Sequence, residues 1–124
     1  MLELPEEFEL ISFFECEPTL GAPGVPWVYN SVTFQTERGK NRIRFHIEPD
    51  FGELEFSWSQ AGTQRVNLKI NNLSSIQIHI AKDNEYLVAS SGAVNPHQLL
   101  KIRLKPDVAV EWSLILPPKN ALHS

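Results

Sequence analysis

The chain is short of several features that would otherwise decide its class. It has one cysteine in 124 residues, so it closes no disulfide of its own, and the cytoplasm, a reducing compartment, is the expected setting. It has 11 Lys and Arg against 15 Asp and Glu, a net charge of −4, so binding to nucleic acid through bulk charge is not expected. No window approaches the roughly 20 apolar residues of a membrane span, so no membrane partner is expected. The opening, Met1-Leu2-Glu3-Leu4-Pro5-Glu6-Glu7, has neither the basic region nor the apolar run of a secretory signal. Catalytic signatures are also missing. There is no glycine-rich phosphate loop, and Ser90-Ser91-Gly92 lacks the flanking glycines of a nucleophile elbow. Cys16 stands between Glu15 and Glu17, whose charge disfavours a thiolate, so a buried structural thiol is expected. These absences point away from an enzyme, and no cofactor is expected.

What the chain does have is alternation. Arg42–Glu48, Glu53–Ser59, Arg65–Asn71 and Ser75–Ile80 each switch between polar and apolar at every residue. A period of two is the mark of a strand with one buried and one wet face, and four such runs in a row predict an antiparallel meander over a core. Opposed charges suggest the registers. Pairing Arg44 with Glu55 and His46 with Glu53 avoids setting Glu48 against Glu53, at the cost of a longer loop around Pro49–Gly52. Pairing Ser59 with Arg65 puts Trp58 opposite Val66, Phe56 opposite Leu68 and Glu55 opposite Lys69. Pairing Asn71 with Ser75 sets Ile70 beside Ile76 and Lys69 beside Gln77, which gives an outer row of Arg44, Glu55, Lys69 and Gln77.

Elsewhere the pattern is less regular. Leu10–Phe14 reads as a strand, since Pro18 follows and the aromatics are not taken to keep a helical spacing. Glu17–Pro26 contains three prolines and two glycines and reads as a loop. Strands are expected over Val28–Glu37, Tyr86–Ala89, Leu99–Lys105 and from Val108 to Leu116, with Trp112 in the last inward row. The whole predicts an all-β fold: a single-domain antiparallel β-sandwich, or a closed barrel, of about eight to nine strands with a central meander. The domain spans residues 1–124, with 118–124 a disordered tail. Loops 18–27 and 90–98 are long enough to cross between sheets. Phe45, Phe56, Trp58, Leu68, Ile78 and Trp112 are the expected core. Arg44, Glu55, Lys69 and Lys101 are expected to be exposed.

Few residues stand out as candidates for function. His46 and His79 fall on the wet face in different rows, so they do not converge on one point as zinc ligands must, and no metal is expected. Lys101, Arg103 and Lys105 lack the interleaved aromatics of a nucleic-acid stripe. Trp27 and Tyr29 lie at a loop-to-strand junction, outside any alternating row, where aromatics anchor interfaces or stack on sugars. Residues 1–17 hold six glutamates, and no basic residue precedes Arg38. An uncompensated acidic segment beside an aromatic anchor fits a basic protein partner, so Glu6, Glu7, Glu9, Trp27 and Tyr29 are the candidate binding residues.

The acidic, aromatic opening Phe13-Phe14-Glu15 is followed by Pro26-Trp27-Val28-Tyr29-Asn30 and Ile47-Glu48-Pro49. Then come Leu104-Lys105-Pro106 and Val110-Glu111-Trp112. This layout resembles small stand-alone bacterial proteins of the immunity or orphan type in toxin systems. The resemblance covers most of the chain on short, non-catalytic motifs and carries over no functional residue. It implies a cytoplasmic protein that neutralises a toxin domain by binding it. The alternative is a small-ligand or carbohydrate-binding β-sandwich using Trp27 and neighbouring loops, against which the lack of a secretion signal weighs.

Overall fold

The structure, a computed structural model, describes residues 2–81, 84–92 and 97–115. Among these residues the strands are β1 (Thr19–Leu20), β2 (Val32–Arg38), β3 (Asn41–Glu48), β4 (Glu53–Gln60), β5 (Thr63–Ile70), β6 (Leu73–Ala81), β7 (Asn84–Ser91), β8 (His97–Arg103) and β9 (Ala109–Ile115). They form two antiparallel sheets, β1-β2-β3-β4-β5 and β6-β7-β8-β9, which do not close into a barrel. The expected tail, residues 118–124, lies outside the described residues. The core draws Val32, Phe34, Ile43, Phe45, Ile47, Leu54 and Phe56 from the first sheet. The second supplies Ile76, Leu87, Ala89, Leu100 and Ile102. No helix among the described residues is long and apolar enough to cross a membrane.

Between Leu2 and Cys16 the chain departs from expectation. Glu7–Phe14 is a helix, α1, not a strand. Leu10, Phe13 and Phe14 are spaced i, i+3, i+4 and are the three residues it buries, so a helical stripe is present after all. The Glu6 backbone N–H donates to Glu9 Oε1 at 2.9 Å, half of a capping box, and Glu15 ends the helix in the left-handed conformation at φ 56°. The Phe14 ring lies 4.9 Å from both Phe34 and Phe45, so the helix delivers an aromatic directly onto the inner face of β2 and β3.

Two of the charge-based registers are overturned. Glu48 does face Glu53, His46 faces Glu55 and Arg44 faces Ser57. The inward pairs Phe45/Phe56, Ile47/Leu54 and Ile43/Trp58 bury far more than two half-buried carboxylates at the strand ends can contribute, and Lys69 relieves the repulsion. Lys69 Nζ lies 3.7 Å from Glu53 Oε2, and His46 Nε2 lies 3.7 Å from Glu48 Oε2. Across β4 and β5, Trp58/Val66, Phe56/Leu68 and Glu55/Lys69 pair as expected, although Ser59 meets Gln64 rather than Arg65 through a bulge. The expected pairing of Asn71 with Ser75 does not occur. The chain changes sheets at Asn71-Asn72, and β6 pairs with β7, so Gln77 and Ile76 are not sheet neighbours of Lys69 and Ile70. Asn72, at φ 59°, makes the change of direction in two residues. Loop 18–27 stays within the first sheet, and β7 and β8, on either side of loop 90–98, pair with each other.

Burial corrects the core in one clear case. Phe45 and Phe56 are buried and Trp58, Leu68 and Ile78 half-buried, but Trp112 is 46% exposed. It has the inward parity expected of it, opposite the buried Leu100, yet it sits on edge strand β9, where the other sheet does not cover it. Glu55 and Lys69 are exposed as expected, whereas Arg44 and Lys101 are half-buried.

Candidate protein-binding site

The strands of the first sheet run between two ends of the sandwich. At the end where β3 hands over to β4, two single 3₁₀ turns, Trp27–Tyr29 and Pro49–Phe51, pack against each other. Pro49 is buried at the start of its turn, and Gly52 closes it at φ 64°, a conformation that favours glycine. The Gly52 carbonyl then accepts the Leu73 N–H at 2.8 Å, which ties the turn to the start of β6.

The loop before Trp27 is held by one buried side chain. Asn30 Oδ1 accepts the N–H groups of Ala22 and Ser31 at 3.0 and 2.9 Å. Its Nδ2 donates to the carbonyls of Ala22 and Val25 at 2.8 and 3.1 Å. An asparagine with both ends of its amide engaged makes a proline-rich loop a fixed object. Trp27 then turns inward, half-buried against the core, while Tyr29 is 67% exposed. Phe51, on the neighbouring turn, is 73% exposed, and Val25 and Asp50 are also exposed. Tyr29 is among the binding residues expected from the sequence and Phe51 is not. The available signal was a phenylalanine inside a Pro-Asp-Phe-Gly turn, outside any alternating row.

The acidic candidates sit on a different element. Glu6 and Glu9 build the start of α1, Glu7 is half-buried, and α1 packs on β2, β6 and β7. The structure thus groups Trp27 and Tyr29 with Phe51, and it places Glu6, Glu7 and Glu9 together at the N-terminal end of α1. Nor is the opening segment wholly uncompensated: Glu15 is paired with Lys105 at 2.7 Å and with Arg38. Hydrogen bonds from Lys105 and Arg38 hold the Glu15 carboxyl below its ordinary range.

The remaining candidates resolve into local roles. His46 is half-buried, with Nδ1 2.7 Å from Thr33 Oγ1, rather than a solvated surface histidine. His79 is exposed and its ring stacks on Tyr86 at 5.0 Å. No group of three or more His, Cys, Asp or Glu among the described residues is placed to hold a metal. Burial pushes the half-buried Cys16 thiol up, as a structural cysteine requires. Lys101 lies over the Tyr86 ring at 4.2 Å, and Arg103 Nε donates to the Asp107 carbonyl.

No family model matches the sequence, and no curated protein sequence matches it. Among solved structures, a chain of the contact-dependent growth inhibition toxin–immunity protein complex from Klebsiella pneumoniae 342 is similar in fold. The TM-score is 0.76 at 21% identity, over 92% of this chain and 97% of that one.

Proposed function

We propose that this protein is a non-enzymatic interaction module of the immunity type, which binds a toxin domain and blocks it. The observation that carries the reading is the pair of exposed aromatics, Tyr29 and Phe51, on two turns that are each fixed from behind. Rigid aromatics on an ordered support lose little entropy on binding, and they are the residues that dominate interface energies. The likeness to a chain of a toxin–immunity complex, over nearly the full length of both, supports the same reading. Tyr29 and Phe51 form the anchor and Trp27 braces it. Glu6, Glu7 and Glu9 supply negative field that speeds encounter with a basic partner.

The test begins with the gene beside this one, because an immunity gene adjoins its toxin. The adjacent product is expressed in a bacterial host with and without this chain. Rescue of growth together with co-purification is the expected result. Growth arrest by this chain alone, or no complex with the adjacent product, would overturn the proposal.

A further inference from the structure

The edges of the two sheets are not treated alike. β1 is two residues long, and β5 carries Arg65 and Lys69 beside the bulge at Trp58/Ser59. At the start of β6, Glu3 covers the edge: its N–H donates to the Ser74 carbonyl and its carbonyl accepts the Ile76 N–H, both at 2.9 Å. Short length, charge, bulges and cover are the ways in which a sheet edge is kept from pairing with another chain. Among the described residues, β9 is the least protected: no bulge interrupts its pairing with β8 and no described segment pairs along its outer side. It is seven residues long, and its one charge, Glu111, is set opposite Lys101 on β8. Its core-side row is Val110, Trp112 and Leu114, and the last two are each 46% exposed.

We infer that β9 pairs antiparallel with β9 of a second copy of this chain, about a two-fold axis through Trp112, joining two four-stranded sheets into one. The register follows from symmetry and charge. A two-fold axis normal to the sheet must set core-side residues opposite core-side residues, so it passes through a residue. Centring on Glu111 opposes two carboxylates, which is unfavourable. Centring on Ser113 leaves Ala109 and Val110 without partners in the strand. Centring on Trp112 pairs all seven residues, with Val110 against Leu114, Glu111 against Ser113, and Trp112 against its own copy. No like charges meet, and the two exposed apolar side chains of each copy are covered. Tyr29 and Phe51 take no part, so this pairing stands or falls separately from the binding function.

Sedimentation equilibrium of the full chain should show a monomer–dimer equilibrium reaching twice the 14.1 kDa chain mass. Leu114→Lys should weaken the dimer by about tenfold or more, since it places a charge in the apolar row, and circular dichroism should not change. In a Cys16→Ser background, Trp112→Cys should give a disulfide-linked dimer on oxidation, because a residue on the axis meets its own copy. Leu114→Cys in the same background should not. A single 14.1 kDa species at every concentration would overturn the inference. So would a dimer indifferent to Leu114→Lys, or one that does not cross-link through Trp112→Cys.

Discussion

The two ends of the first sheet are made from the same strands and finished in opposite ways. At the end where β2 turns into β3, polar groups close the structure. Glu15 takes Lys105 and Arg38, and Asn41 Oδ1 accepts from Trp58 Nε1 at 2.9 Å and from Gln60 Nε2 at 3.2 Å. An aromatic at this end is half-buried, with its one donor satisfied. At the other end, Tyr29 and Phe51 are two-thirds exposed or more on turns that are well held. The chain therefore has polar means of closing an end over an aromatic and applies them at one end. At the other, the two packed 3₁₀ turns hold Tyr29 and Phe51 out in solvent.

The largest effect that sharpens this contrast compares two phenylalanines five residues apart. Phe56→Ala, which empties a fully buried site opposite Phe45, should cost about 3–5 kcal/mol in a denaturant titration. Phe51→Ala should cost less than about 0.5 kcal/mol. Similar losses for both would mean that Phe51 is structural. Next in size is Asn30→Ala, which strips the hydrogen bonds from the loop at Ala22, Val25 and Ser31. A loss of about 1–3 kcal/mol is expected, with faster amide exchange at Ala22 and Ser31. Unchanged exchange there would mean that the loop does not need its asparagine.

The smallest effect belongs to the polar end. The Glu15 carboxyl is held below its ordinary 4.5 by Lys105 and then Arg38, so its contribution is present above that value and is lost as pH falls through the lower folded value. The melting temperature of the wild type should therefore fall more steeply than that of Glu15→Gln as pH drops below 4.5. The difference should be modest, because the group is about half exposed and screened by solvent. Parallel curves would mean that the ion pairs contribute nothing to closing this end.

Much of the meander was legible because a period of two shows directly which side chains share a face: Phe45, Leu54 and Phe56 are buried as their parity requires. The β4–β5 pairing was legible in its Glu55/Lys69 charge match. Charge misled at Glu48/Glu53, where two half-buried carboxylates are a small term beside the apolar pairs they flank. The change of sheet at Asn71-Asn72 was illegible in principle, since a run that alternates reads the same in either sheet and two asparagines also suit a hairpin turn. Helix α1 was legible and misread: Leu10, Phe13 and Phe14 carry the spacing, and the dense run of aromatics around them masked it. Of the candidate site, Tyr29 showed in the sequence as an aromatic outside any row. Its grouping with Phe51 depends on two turns meeting in space, which no local pattern records.

The most direct test of an aromatic binding end is the affinity of this protein for the product of the adjacent gene, measured by calorimetry for the wild type and for a Tyr29→Ala/Phe51→Ala variant. The variant should fold as the wild type does and bind at least about tenfold more weakly. Equal affinities for the two proteins would contradict the claim that this end makes the contact.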